Sequence, residues 1–192
     1  IETSYNLTDS IVLSSINTTF HGMLKYEYSC SQCFTQTDIL ETYLDIVLDP
    51  CGTVEGSLVR SMDESVTNVC RVGDANMSHS LSKTITEQPT ISILRINRFK
   101  IINGQYHKNT SKLICKEFIS TAMFKGHLIG MIFHKGMSTN SGHYTAAIKN
   151  NNIWYNCNAS HDEITDFSKL SCSSDVYILR ALPSGQWVPP AE

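Results

Sequence analysis

The chain has 192 residues, 41% of them hydrophobic and 17% charged, which suits one globular domain with a real core and excludes a disordered segment. Its net charge of −3 and lack of any block of like charge give no electrostatic footprint for nucleic acid, while leaving room for a basic partner segment. No run approaches the ~18 apolar residues of a membrane span.

No secretory leader is visible at the start. The chain opens mid-pattern at Ile1 without a Met, as expected of a piece of a longer protein. Seven cysteines, an odd number with only one CxxC (Cys30 and Cys33), argue for free thiols in a reducing compartment, hence an intracellular, cytoplasmic or nuclear setting. Five Asn-X-Ser/Thr triplets, at Asn6, Asn17, Asn76, Asn109 and Asn158, are expected by chance in so Asn-, Ser- and Thr-rich a chain.

In chain order, residues 1–19 are polar, with a short apolar patch at Ile11-Val12-Leu13. Met23–Ser29 alternates as a strand, Cys30-Ser31-Gln32-Cys33 makes a turn, and Ile39–Leu48 is β-prone. A helix is expected to begin within Leu58–Met62, and residues 71–88 are expected to be irregular. Ile91–Ile102 is a long β-rich run closed by an Asn103-Gly104 turn. Leu113–Ile119, His127–His134, His143–Lys149, Ile153–Asn158 and Val176–Leu182 read as further strands, Asp162–Leu170 as a short helix or turn, and 183–192 as an irregular tail. The fold class is α+β, predominantly antiparallel β.

Ser141-Gly142-His143-Tyr144-Thr145-Ala146 carries most of the chemical information, together with Asn158 fifteen residues past the histidine. Asn150, Asn151 and Asn152 supply a hairpin turn, because Asn tolerates positive φ. A two-residue turn at Asn150-Asn151 pairs Ala147 with Trp154, Thr145 with Asn156 and His143 with Asn158. Opposed Cβ atoms lie ~4.5–5.5 Å apart, within reach of an imidazole–amide hydrogen bond. The same register sends Tyr144, Ala146, Ile148, Ile153, Tyr155 and Cys157 to the other face, which reads as the core side.

The ordered series of motifs resembles the ubiquitin-specific proteases, the papain-like cysteine deubiquitinases. Phe20-His21-Gly22 and Tyr28–Cys33 look like the first finger element, and Glu41–Ile46 like the strand after it. Ile93–Phe99 looks like the strand ending in Arg-Phe, and His127–Gly136 like the strand before the histidine box. Ser141–Ala146 is similar to the box itself, Trp154–Ser160 to the strand bearing the third triad member, and Val176–Leu179 to the closing strand.

The resemblance covers residues 20–180. It implies a papain-like palm (91–182) and fingers (20–90) within a single partial catalytic domain over 1–192. The helical thumb, with its nucleophilic cysteine box, is not recognisable. By resemblance His143 is the base and Asn158 the orienter, while Phe99, Gly142 and Tyr144 line a channel for the ubiquitin Gly-Gly tail. Lys135–Ser141, rich in Gly, Ser and Asn, is suited to a mobile cover over the tail. The partner implied is ubiquitin or ubiquitinated protein, with no nucleic acid and no membrane; a non-catalytic ubiquitin-binding or scaffold module is the alternative. No cofactor is expected. Cys30, Cys33 and Cys70 are an incomplete zinc set, with Gly73 where a fourth thiolate belongs and Cys51 or His79 conceivable in its place. Ala159 stands where relatives often carry an acidic residue.

Overall fold

The computed structural model describes residues 7–69, 76–138, 141–158 and 161–184. Helix α1 (Leu7–Phe20) precedes strands β1 (Gly22–Cys30), β2 (Gln36–Tyr43) and β3 (Ile46–Leu48), then helix α2 (Val54–Met62), β4 (Asp63–Val69) and β5 (Asn76–Glu87). Next come β6 (Ser92–Ile96), β7 (Phe99–Ile102), β8 (Gln105–Lys108), β9 (Leu113–Ile114), β10 (Phe118–Ser120) and β11 (Lys125–Lys135). The chain continues through β12 (His143–Asn150), β13 (Ile153–Asn158), β14 (His161–Thr165), α3 (Phe167–Leu170), β15 (Cys172–Ser173) and β16 (Val176–Pro183).

Two sheets carry the architecture. A four-stranded antiparallel sheet runs in the order β2-β1-β5-β4. An eight-stranded sheet is ordered β14-β13-β12-β11-β16-β6-β3, with β10 on the flank of β11, and only the β3–β6 pair is parallel. The core lies on the larger sheet, where Leu48, Leu94, Ile96, Leu128, Met131, Leu179 and Ala181 meet α2 through Val54 and Leu58.

Several local readings are corrected. Residues 7–20 are helical, and their abundant hydroxyls accommodate the helix by bonding back: Thr18 Oγ1 to the Ser14 carbonyl and Thr19 Oγ1 to the Ser15 carbonyl. Met62 ends α2 instead of lying near its start. The helix begins at Thr53, whose hydroxyl accepts from the Gly56 N–H at 3.0 Å as an N-cap, with Glu55 in the first turn. The stretch expected to be irregular holds the twelve-residue strand β5, which pairs with both β1 and β4. Its polar alternation is that of a strand lodged between two others in a thin sheet.

The β7–β8 hairpin turns at Asn103 (φ 51°) and Gly104 (φ 76°), both in the left-handed region that a two-residue type I′ turn requires. The strand run from 91 is interrupted at Asn97-Arg98 because Arg98 turns inward. Its guanidinium is 1% exposed. Nε donates to the Val176 carbonyl at 3.1 Å, Nη1 to those of Asn109 (3.2 Å) and Ser111, and Nη2 to that of Ser173 at 3.2 Å. A buried cation is tolerable only when it is well hydrogen-bonded, and here four backbone carbonyls accept from it.

We predict that Arg98→Met destabilises the fold by about 3–5 kcal/mol, the cost expected when one side of a buried polar set is removed, read by urea denaturation. Tyr43 is 8% exposed, and burial pushes its phenol from 10.0 up to about 12. Because the folded state holds that proton more tightly, its contribution is complete below pH 10 and is lost as pH rises through about 12. Tyr43→Phe should remove that component of alkaline destabilisation, measured as the slope of unfolding free energy over this window.

Candidate functional site

The turn that joins β12 to β13 sets the geometry. Asn151 (φ 46°) and Asn152 (φ 62°) are its two central residues, so Asn150 pairs with Ile153, Lys149 with Trp154, Ala147 with Asn156 and Ala146 with Cys157. The expected register is therefore corrected: the turn lies one residue later than Asn150-Asn151, and every residue of β12 faces a partner two further along β13. A type I′ turn needs positive φ at both central residues, and three consecutive Asn residues offer it in two places.

His143 and Asn158 are thus not directly opposed. They lie diagonally beyond the last β12–β13 pair, where Cβ atoms are ~7–8 Å apart and the two side chains still span the gap. His143 Nε2 is 2.7 Å from Asn158 Oδ1. With the amide oxygen as acceptor, Nε2 carries the proton and Nδ1 carries the lone pair.

The face assignment is also corrected. Thr145, Ala147 and Trp154 are the buried residues of the hairpin, on the face that carries His143 and Asn158. Tyr144, Ile148 and Ile153, expected inside, are 57%, 45% and 42% exposed. The core claims the other set because Trp154 stacks on Phe167 of α3, ring centroids 5.3 Å apart, beside buried Leu170. His143 and Asn158 therefore stand where the core-facing side of the sheet runs out to solvent.

Below them a cleft of about 360 Å³ is lined by Phe133, Lys135, Thr145, Asn156, Leu170 and Cys172, among others. A second cavity, of about 450 Å³, is lined by Asp49, Arg60, Glu64, Lys83 and Asn97 and shares none of these residues.

Of the three residues expected beside the histidine, all gather around one that the sequence reading did not single out. His134 is 3% exposed and faces Tyr144 across the β11–β12 ladder. Its ring lies 4.7 Å from that of Tyr144 and 5.7 Å, edge-on, from that of Phe99. A Cβ on Gly142 would sit 2.2 Å from His134 Nε2. Glycine is obligatory there because the neighbouring imidazole already fills the space. The signal was present, since His134 lies in the motif strand ahead of the box, but nothing in the sequence says that its ring turns toward residue 142.

Cysteine chemistry is sharply differentiated. Burial pushes the Cys115 thiol up to about 12, unsuited to a nucleophile. Cys157 points its sulfur toward the Tyr155 carbonyl at 3.9 Å, and Cys51 lies at the approach to α2, outside the four-stranded sheet. Cys172 is exposed and lines the cleft. Cys30 faces His79 across β1–β5, whereas Cys70, Gly73 and Ala159 lie outside the described residues. Among the described residues no group of three or more His, Cys, Asp or Glu is placed to hold a metal ion, and no helix is long and apolar enough to cross a membrane.

Comparison with known proteins places these features in a lineage. The family model for ubiquitin carboxyl-terminal hydrolase matches residues 2–180. Ubiquitin carboxyl-terminal hydrolases 25 and 16 of Arabidopsis thaliana are each 26% identical over 86% of this chain, which spans 27% and 18% of their lengths. A human relative, ubiquitin carboxyl-terminal hydrolase 17-like protein 10, is 26% identical over 90% of the chain and 35% of its own length. Among solved structures, Ubp8 in the SAGA DUB module bound to ubiquitin aldehyde superposes with a TM-score of 0.74 at 21% identity, over 88% of this chain and 42% of that one. The chain therefore has the papain-like deubiquitinase fold and spans less than half the length of each of these proteins.

Gly142→Ala would drive a methyl group into His134, and we predict a loss of about 1–3 kcal/mol in stability by thermal or urea unfolding. His134→Ala in the same background should recover part of that loss, because it removes the clash.

Proposed function

The chain belongs to the ubiquitin carboxyl-terminal hydrolase family, and on that premise we propose that it forms part of a thiol-dependent deubiquitinase cleaving the isopeptide bond after the C-terminal glycine of ubiquitin. The observation that carries this reading is the 2.7 Å contact between His143 Nε2 and Asn158 Oδ1. It is the orienter–base half of a Cys-His-Asn triad.

With Nε2–H committed to the amide, Nδ1 is the nitrogen that takes the thiol proton and keeps the thiolate ionised. The thiolate attacks the carbonyl carbon, and the imidazolium returns its proton to the departing lysine amine. Water then attacks the thioester, giving its proton to Nδ1, and the thiol is released as ubiquitin's carboxylate forms. The nucleophile in this reading comes from chain outside these 192 residues, because the buried Cys115 and the averted Cys157 are poorly suited to the role.

Phe99 and Tyr144, with Gly142 between His134 and solvent, form a wall suited to a Gly-Gly tail, where any substrate side chain would collide. The adjoining hairpin exposes Ile101 and Tyr106, and the loop after β11 exposes Met137, an apolar patch fit to contact a protein partner. Ubiquitin as that partner is supported by the Ubp8 structures, which are bound to ubiquitin aldehyde and to monoubiquitin. No cofactor enters the scheme.

An electrophilic ubiquitin probe, reactive at its C-terminus, tests the reading. We expect the chain alone to bind ubiquitin without covalent labelling. In a longer protein that includes the thiol-bearing segment, His143→Ala should lower kcat by about 10²–10⁴. Labelling of the chain alone, with Cys172 the thiol to inspect first, would overturn the external nucleophile. Undiminished turnover by His143→Ala would overturn the base. Ubiquitin binding with no activity in the longer protein would instead make this a binding module.

A further inference from the structure

We propose that the buried Lys108, held against Asp175, is a positioning residue that fixes where His143 stands; this rests on the reading of His143 as the base. The Lys108 side chain is 1% exposed. An ammonium has three N–H donors, and all three are used. Nζ donates to the His134 carbonyl at 2.7 Å, to the Gly136 carbonyl at 2.8 Å and to Asp175 Oδ1 at 2.9 Å.

The acceptors are specific in location. His134 and Gly136 bracket Lys135, the residue that pairs with His143. Asp175 leads into β16, and its own carbonyl accepts from the His134 N–H at 2.9 Å. His134 is therefore gripped from both sides of its peptide unit, by Asp175 at the N–H and by Lys108 at the carbonyl. Its imidazole in turn abuts Gly142, one residue before His143.

The strand facing His143 and the backbone leading into it both rest on groups that Lys108 and Asp175 hold. Gly136, at φ 151°, starts the exit loop, and a Cβ there would lie 2.8 Å from the Ser141 carbonyl, so the two ends of that loop already touch. The neighbouring cation, Arg98, donates to four other carbonyls. Lys108 is the ion-pair partner of the Asp175 carboxylate.

Removing the lysine leaves the strand carbonyl of His134, the loop carbonyl of Gly136 and one carboxylate without their cation. Met137 and Gly142 are exposed and lie near the strand end that carries His143, while Leu94 and Leu179 are 0% exposed. The response therefore falls on the strand end that carries His143 and not on the core.

The test is imidazole NMR on the whole chain labelled with 15N-histidine. In the wild type His143 should be the Nε2–H tautomer, with a protected Nε2–H proton bonded to Asn158. Lys108→Met and Asp175→Ala should each lose that proton signal while the methyl resonances of Leu94 and Leu179 stay in place. Asp175→Asn, which keeps an oxygen for Nζ, should retain it.

If Lys108→Met does not fold, Asp175→Ala carries the same reading. A His143 signal that persists unchanged in either folded variant would overturn the proposal, as would a wild type without the protected proton. These outcomes concern placement alone. The probe experiment above decides separately whether His143 is the base, so failure of one is distinguishable from failure of the other.

Discussion

Two buried cations organise one end of the larger sheet. Arg98 gathers the carbonyls of Asn109, Ser111, Ser173 and Val176, and Lys108 gathers those of His134 and Gly136 together with the Asp175 carboxylate. Asn109, Ser111 and Gly136 lie outside the strands, and His134, Ser173 and Val176 lie at or near strand ends; an unpaired buried carbonyl would cost about 1–3 kcal/mol. The cations satisfy these acceptors. They join the exit of β8, the end of β11 and the approach to β16 at the place where β12 begins. Burial disfavours the charge on Arg98, and Asp175 nearby favours it. A single carboxylate thus serves two cations, and backbone dipoles supply the remaining stabilisation.

The His143–Asn158 contact depends on that end of the sheet and on the far end of the hairpin alike. At the far end, Asn151 and Asn152 fix which residues of β12 and β13 face each other. At the near end β12 is held by β11 as far as Lys135–His143, while its β13 ladder stops at Ala146–Cys157. The two side chains meet across the opening between separating strands. A directly opposed pair would have been the shorter path; the diagonal one still brings Nε2 and Oδ1 to 2.7 Å.

The four-stranded sheet contributes differently. It carries ion pairs at Lys25–Glu27, Lys25–Asp38 and Lys83–Glu64, all at least partly open to solvent, and such pairs contribute little to stability. Its attachment to the body is apolar, through Leu24 and Tyr43, which join the main core. Its longest strand, the twelve-residue β5, pairs with both β1 and β4.

Motif order and the Asn-rich turn made much of this protein legible from sequence. The strands from 127 to 158, the hairpin, the meeting of His143 with Asn158 and the family were all readable, because period-2 alternation and turn chemistry are local properties. The helix at 7–20 and the strand at 76–87 were not, since Ser- and Thr-rich polar stretches have weak intrinsic preference and take their form from neighbours. The inside and outside of the β12–β13 hairpin could not be assigned either. Ile148 and Ile153 look like core, yet Trp154 occupies the core because Phe167 and Leu170 lie opposite it. Nor could sequence show that Arg98, Lys108, His134 and Asp175 converge. Their separations along the chain reach 77 residues between Arg98 and Asp175, and only the tertiary fold brings together donors and acceptors that no local pattern relates.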